Sequence, residues 1–203
     1  ATSLRMRVIN LELQNSSESK GEIIEDTIQT LAAMGIDRFV VRHKENGLVQ
    51  RLANHLGDAI HLINAGDGTH AHPSQALLDM MTLIEHKPQL NDLKIVVLGD
   101  IRHSRVANSF QCICSKLGVG ELVLIAPTIW QPDTVQYGRL TDNLRDGLAG
   151  ADVVICLRVQ AERLLGNEQL DLKSYRHDFA LTTSSLAYAR PDAVVMHPGP
   201  LNR

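Results

Sequence analysis

The alternation of short apolar runs with segments of helical period is the feature that most restricts how this chain folds. Runs rich in Val, Ile and Leu are separated by stretches whose apolar residues recur every three to four positions. Such alternation is typical of a parallel β-sheet flanked by helices, so the predicted fold class is α/β. Strands are predicted over residues 8–13, 38–42, 59–64, 94–98, 121–125, 152–157 and 193–196.

Four of the intervening segments carry the apolar stripe of an amphipathic helix. Pro73 suits the first turn of the third helix, and the spacing of Ser19 and Glu22 is that of a capping box before the first. The predicted stripes are Ile24, Ile28 and Leu31; Val49, Leu52, Ala53 and Leu56; Leu77, Met80, Met81 and Ile84; and Val106, Phe110, Ile113 and Leu117.

A polar passage at residues 86–92, HKPQLND, interrupts this alternation before a new strand begins. We therefore predict two domains, residues 1–87 and residues 88–203, each a doubly wound parallel sheet flanked by helices. The chain begins on ATSL and ends on a polar loop, HPGPLNR. We expect it to be a fragment, or the ordered part, of a longer chain.

The composition excludes several classes of protein. The formal charge of −3 leaves no basic excess for a nucleic-acid partner. No apolar run has the length that spans a bilayer and no secretory signal begins the sequence, so we expect a cytoplasmic protein without a membrane partner. Cys112 and Cys114 would point apart on a helix and Cys156 lies in a strand, which predicts neither a disulfide framework nor a thiolate metal site.

Polar residues directly follow five of the predicted strands, where open α/β sheets bind their ligands. They bring Arg42, Arg105, Arg158 and Arg163 to one edge without a matching set of acids. Such an edge predicts an anionic ligand. The segments are RH (42–43), NAGDGTHAHPSQ (64–75), GDIRHSR (99–105), LRVQAER (157–163) and HPGP (197–200).

His70 and His72 are open to two interpretations. A metal site needs further ligands at workable spacing, and Asp67 is the only acid nearby. Alternatively, His72 is the N-cap of the helix that starts at Pro73, so that free backbone amides and the positive end of the helix dipole face a ligand. We favour the second interpretation and predict no metal, because Arg42 and His72 would then be donors to a carbonyl oxygen that gains negative charge.

Three common sequence signatures of enzymes do not occur. No G-x-G-x-x-G follows a strand, no G-x-x-x-x-G-K-[ST] is present, and there is no serine nucleophile elbow. The predicted chemistry therefore uses neither a cofactor nor a covalent intermediate.

At these segments, together with SKGE at residues 19–22 and VRH at 41–43, the sequence resembles the carbamoyltransferases over essentially all 203 residues. The RVQ-x-ER stretch at 158–163 and the PGP turn at 198–200 are similar to the aspartate branch rather than the ornithine branch. The resemblance implies transfer of the carbamoyl group of carbamoyl phosphate to the amino group of L-aspartate. The products would be N-carbamoyl-L-aspartate and phosphate, in pyrimidine biosynthesis.

The same resemblance implies which residues bind carbamoyl phosphate. Arg42 and His72 would hold and polarise the carbonyl oxygen, and Gln75 would contact the carbamoyl amide. The backbone of Gly199 and Pro200 would also contact this substrate.

For aspartate, the resemblance implies that Arg105 and Arg158 bind the carboxylates, with Gln160 close by. Lys20 would reach the active site of a neighbouring subunit, because the family forms homotrimers with shared sites. Regulatory or other pyrimidine-pathway subunits are possible further partners.

One departure from the family keeps alternatives open. The family's phosphate loop, Ser-Thr-Arg-Thr-Arg, does not occur in the sequence, and we expect it upstream of residue 1. The first alternative is a carbamoyltransferase with another amino-acid acceptor, such as ornithine. The second is a non-catalytic homologue that serves as an oligomeric scaffold.

Overall fold

The computed structural model describes residues 6–11, 23–159 and 171–199. The chain divides into two compact units, of which unit 1 comprises Ala1–Val41 and Leu48–Ile63, and unit 2 comprises Arg42–Gly47 and Asn64–Arg203. The domain boundary between residues 87 and 88 stays a prediction.

Unit 1 holds two helices, α1 (Ile24–Ala33) and α2 (Leu48–Leu56), and the first parts of two strands. The strands, β1 (Arg38–His43) and β2 (His61–Asp67), form a two-stranded sheet. The predicted apolar stripes explain its core, because each helix turns its buried residues to the same side. That core consists of Ile24, Ile28, Val41, Leu48, Val49 and Leu52.

Unit 2 is built on a five-stranded sheet in the order β5-β4-β3-β6-β7, in which every neighbouring pair is parallel. The predicted α/β class is thereby confirmed. Its elements are α3 (Pro73–His86), β3 (Lys94–Leu98), α4 (Arg105–Leu117), β4 (Glu121–Ile125), β5 (Arg139–Thr141), α5 (Leu144–Leu148), β6 (Val153–Cys156), α6 (Leu172–Phe179), α7 (Thr183–Leu186) and β7 (Val194–Met196).

Alternate residues of the central strands enter two separate cores. In β3, Ile95 and Val97 pack in the cluster that contains Phe110 of α4, while Val96 and Leu98 pack in the cluster on the other face. A strand that is buried on both faces appears in the sequence as a continuous apolar run. KIVVL is such a run, so this strand is easily recognised.

The order of the strands fixes where polar loops meet. The chain runs from β3 outward through β4 and β5 and then crosses to β6 on the other side of β3. The loops that follow β3 and β6 therefore border the switch point, the usual ligand crevice of such sheets. Gly99 allows the loop after β3 to lie close to the loop after β6, because a Cβ at its φ of +138° would lie 2.9 Å from Cβ of Leu157.

Three strand predictions need correction. Residues 8–11 of the predicted strand 8–13 are irregular and pair with no described strand, and residues 12 and 13 lie outside the described residues. The strand predicted over 59–64 instead runs from His61 to Asp67 and pairs with β1. The edge strand β5 was missed, since its short sequence, RLT, has only one apolar residue.

The predicted apolar face of α3 is wrong in part. Leu77, Met81 and Ile84 are exposed, whereas Met80 is buried as predicted. The helix instead buries Ala76, Asp79, Met80 and Leu83, the face that an i, i+4, i+7 repeat produces, and α3 packs against α4.

The outer end of the α4 stripe is also exposed, at Leu117. Cys112 is exposed and Cys114 is buried, so the two side chains do point apart. None of the described helices combines the length and apolar character required to cross a membrane.

Candidate active site

Residues 66–72, here named the histidine loop, connect β2 to α3 and lie against the first turns of α4. Both segments belong to unit 2. The loop closes on itself, because Asp67 and Ala71 form an antiparallel bridge in which the Asp67 amide donates to the Ala71 carbonyl at 3.0 Å. Its amide at Gly68 also donates to the carbonyl of His43, at the end of β1.

The Asp67 carboxylate is the centre of this loop and is 1% exposed. It accepts hydrogen bonds from the Gly47 amide (2.9 Å), the Ala71 amide (3.0 Å) and Nδ1 of His70 (3.1 Å). Burial alone would raise the pKa of Asp67, but bonds from His70, Asn64 and Gly47 outweigh it and lower the pKa below 3.8. Asp67 is therefore held as a carboxylate that orders the loop.

Arg105, the first residue of α4, lies over the histidine loop. Its Nη1 donates to the carbonyl of Gly68 at 3.1 Å. A Cβ on Gly66, whose φ is +123°, would lie 2.9 Å from Cζ of Arg105. The glycine thus provides both the backbone conformation and the space for the guanidinium group.

Two further side chains of α4 hold the loop, and the sequence analysis missed both. Nδ2 of Asn108 donates to the carbonyls of Thr69 and His70, both at 3.2 Å. Oγ of Ser109 accepts from the His72 amide at 2.8 Å. Their signal in the sequence is a pair of small polar residues one turn after Arg105, within a helix that is otherwise apolar on its inner side.

His72 is the N-cap of α3 and Pro73 is at the first helical position, as predicted. The Ser74 hydroxyl lies 3.3 Å from Nδ1 of His72, and if it donates to that atom, the ring proton is on Nε2. Burial, followed by the positive charges of Arg105 and Arg42, lowers the pKa of His72 below 6.5. His72 is thus a neutral imidazole beside two guanidinium groups.

The metal interpretation of His70 and His72 finds no third ligand. Asp67 uses its oxygens on two backbone amides and on Nδ1 of His70, and Nδ1 of His72 lies 3.3 Å from the Ser74 hydroxyl. Within the described ranges, no group of three His, Cys, Asp or Glu side chains is arranged to hold a metal ion.

Asp100 and Arg158 occupy the ends of β3 and β6, at the switch point of the sheet. Asp100 is fully buried and accepts from Nδ1 of His103 at 2.9 Å. Asp67 and Asp100 are thus buried acids at the ends of β2 and β3, and the expectation that the arginines lack a matching set of acids stays a prediction. Arg158 follows β6 and is half-buried.

Of the remaining predicted site residues, some lie among the described residues and others do not. Gly199 lies after β7, and its amide donates to Nδ1 of His197 at 2.8 Å. Arg42 is exposed at the end of β1, and Gln75 lies in the first turn of α3. Lys20, Arg163, Gln160 and Pro200, as well as the Ser19–Glu22 capping box, lie outside the described residues.

This arrangement is suited to an anionic ligand that carries a carbonyl group. A neutral imidazole donates from the nitrogen that carries its proton, and the positive charges of Arg105 and Arg42 act on the same ring. The start of α3 adds the positive end of its helix dipole, but the predicted free amides are largely used: Pro73 has none, and the Gln75 amide donates to the His72 carbonyl at 3.1 Å.

Comparison with known families agrees with this geometry. Residues 1–85 match the carbamoyl-P binding domain of aspartate/ornithine carbamoyltransferase, and residues 91–203 match its Asp/Orn binding domain. The chain belongs to the aspartate/ornithine carbamoyltransferase family.

Individual relatives are named aspartate carbamoyltransferases. The aspartate carbamoyltransferase catalytic subunit of Legionella pneumophila (strain Corby) is 72% identical over 200 residues, which cover 98% of this chain and 67% of the relative. The chain thus spans about two thirds of the length of the curated relatives it matches.

Solved structures of the Trypanosoma cruzi aspartate transcarbamoylase are also similar. The complex with carbamoyl aspartate and phosphate has a TM-score of 0.79 and 25% identity, covering 96% of this chain and 64% of that chain. The complex with carbamoyl phosphate and aspartate has a TM-score of 0.79 and 26% identity, covering 96% and 65%.

Proposed function

We propose that this protein is an enzyme that transfers the carbamoyl group of carbamoyl phosphate to L-aspartate, giving N-carbamoyl-L-aspartate and phosphate in pyrimidine biosynthesis. The observation that carries the proposal is the position of His72, at the N-cap of α3 with a pKa lowered by burial and by Arg105 and Arg42. The choice of aspartate rests on the Legionella relative, which is named for that substrate.

In this proposal, Arg42 and His72 donate to the carbonyl oxygen of carbamoyl phosphate, and Gln75 contacts its amide. The amine of aspartate attacks the carbonyl carbon, a C–N bond forms, and negative charge develops on the oxygen. The C–O bond to phosphate then breaks, and the amine loses its proton as phosphate leaves. A fixed donor to such an oxyanion contributes about 2.7–4 kcal/mol, and positioning two substrates contributes roughly 7–11 kcal/mol in favourable cases.

Aspartate would be bound through its carboxylates by Arg105 and Arg158, with Gln160 and Lys20 beside it. Arg158 follows a strand at the switch point of the sheet, which supports a role in binding a ligand. Arg158→Ala should raise the aspartate requirement far more than the carbamoyl phosphate requirement. Equal effects on both requirements would contradict this assignment.

The proposal is tested by incubating the purified protein with carbamoyl phosphate labelled with ¹³C and either L-aspartate or L-ornithine. Appearance of N-carbamoyl-aspartate, with no carbamoyl product from ornithine, would support it. Product from ornithine alone would indicate the other branch of the family. Absence of any product, together with absence of carbamoyl phosphate binding, would favour the non-catalytic scaffold.

We further propose a cytoplasmic homotrimer in which Lys20 completes the site of a neighbouring subunit and the Gly199–Pro200 backbone contacts carbamoyl phosphate. Mixing inactive Lys20→Ala and His72→Ala homotrimers after mild dissociation should restore activity, because some sites would combine Lys20 and His72 from different chains. If native mass spectrometry shows mixed trimers that stay inactive, Lys20 does not act across the interface.

A further inference from the structure

Asp79 is an acidic residue buried in α3, and neither the family comparison nor the predicted chemistry gives it a role. It lies one turn after Gln75 and is 5% exposed, on the side of α3 that also buries Met80 and Leu83. Nε2 of Gln75 donates to Oδ1 of Asp79 at 2.8 Å. The second oxygen, Oδ2, is buried and has no hydrogen-bond partner among the described residues.

Stability alone does not explain this carboxyl group. Burial raises the pKa of Asp79 above its ordinary value, and the hydrogen bond from Gln75, which favours the charged form, opposes that shift only in part. A polar atom that is buried without a partner destabilises the fold, whereas an apolar side chain of similar size would pack here without that penalty. The buried carboxyl group therefore points to a function that acts through its hydrogen-bond donor, Gln75.

Asp79 determines which end of the Gln75 amide faces away from the helix. A glutamine amide has a donor end, Nε2, and an acceptor end, Oε1, and rotation by 180° exchanges them with little change of shape. A carboxylate only accepts hydrogen bonds, so Nε2 must point to Asp79. Oε1 is then the end that remains for a ligand at the start of α3.

We propose that Asp79 is a positioning residue that fixes the polarity of Gln75, so that the site presents a hydrogen-bond acceptor and selects a ligand amide over an isosteric methyl group. This inference rests on the proposed function, because it concerns the carbamoyl end of the substrate. With Asp79 removed, the Gln75 amide can rotate so that its Nε2 donor faces the ligand NH₂. The two donors then repel each other.

The test uses two stable phosphonates that differ at a single group. Phosphonoacetamide carries the carbamoyl NH₂, 2-oxopropylphosphonate carries CH₃ in its place, and binding of each is measured by calorimetry. The unaltered protein should prefer phosphonoacetamide. Asp79→Asn should reduce that preference roughly tenfold, chiefly by weakening the amide ligand, since the loss of one buried hydrogen bond has about this size.

The matched control is Glu85→Gln, which removes an exposed carboxylate from the same helix and should leave the preference unchanged. In a Gln75→Ala background, Asp79→Asn should have no further effect on the preference, because Asp79 acts through Gln75. A merely structural role of Asp79 would weaken both phosphonates equally. That result, or an unchanged preference in folded Asp79→Asn protein, would overturn the inference.

If Asp79→Asn does not fold, the unaltered protein still decides the question. The side-chain amide resonances of Gln75 should shift as Asp79 is protonated at acidic pH, and resonances insensitive to that protonation would overturn the inference. A failure of the proposed function would give a different binding result from a failure of this inference. In that case the unaltered protein would bind neither phosphonate or would not distinguish them, whatever residue 79 is.

Discussion

The five-stranded sheet and the histidine loop are parts of one compact unit, but opposite kinds of interaction hold them. The sheet buries Ile95, Val96 and Val97 on both of its faces, and these side chains are almost completely inaccessible. The loop is held by directional polar contacts, from the Asp67 carboxylate to backbone amides and from Arg105 to the Gly68 carbonyl.

This difference separates stability from placement of the reacting groups. Apolar burial is non-directional and tolerates shifts of the packed groups that conserve volume. Hydrogen bonds depend on distance and angle, so the loop fixes the position of His72 more narrowly than packing alone would. Substitutions in the sheet should therefore reduce stability, and substitutions in the loop should reduce binding and turnover.

The largest expected effect is on the sheet. Ile95→Ala should lower the free energy of unfolding by about 2–5 kcal/mol, because it leaves a cavity between buried strands. Ile63→Ala, the same change at a side chain that is 53% exposed, should stay within about 0.5 kcal/mol. Denaturant unfolding measures both, and equal losses would mean that the two environments are not distinct.

The next effect is on turnover. His72→Ala should lower turnover about 100- to 1,000-fold, as loss of one donor to an oxyanion does, with little change in unfolding. His70→Ala, at a side chain that is 59% exposed, should retain most of the activity. Chelator treatment of the unaltered protein should have no effect. Activity that is lost with EDTA and restored by zinc would show that His72 is a metal ligand.

Gly66→Ala changes the histidine loop and should have an intermediate effect, because it affects both stability and the position of Arg105. The new Cβ meets the Arg105 guanidinium, and the φ of +123° is unfavourable for alanine, so stability should fall by about 1–3 kcal/mol. The aspartate requirement should rise as Arg105 moves. The comparison is Gly35→Ala, which also has positive φ, at +91°, but no neighbouring atom in the way. If both variants bind aspartate equally well, Arg105 does not depend on Gly66.

The smallest effect concerns how stability and turnover depend on pH. Because the folded state lowers the pKa of His72 below 6.5, the unfolded chain binds its proton first as the pH falls. Stability from this group should therefore decrease below pH 6.5, and turnover should fall only at still lower pH, when folded His72 is protonated. An acid limb of the turnover profile above pH 6.5, assigned to His72 by its loss in a variant, would contradict this sign.

Much of the fold was predictable because buried strands leave a strong local signal. The runs that became β3 and β4 have the predicted bounds, since both faces of each strand need apolar residues. The edge strand β5 and the exposed residues 8–11 were not predictable, because pairing depends on partners far away in sequence.

The position of a site residue was predictable where a single helix or strand determines it. The N-cap position of His72 follows from Pro73 alone, and the structure confirms it. Asn108 and Ser109 stand out in the sequence only as small polar residues in α4, because the segment that they hold depends on how α4 lies against the chain. The buried side of α3, with Asp79 inside and Leu77 outside, was missed for the same reason.

Nitrogen-15 NMR of the His72 imidazole in the unaltered protein would decide whether His72 is a neutral donor. We expect a neutral ring near pH 7, with the proton on Nε2 and a titration midpoint below 6.5. Such a ring can donate to a carbonyl oxygen while Ser74 donates to Nδ1. A doubly protonated ring near pH 7, or a proton on Nδ1, would contradict the claim that His72 is a neutral donor to the substrate.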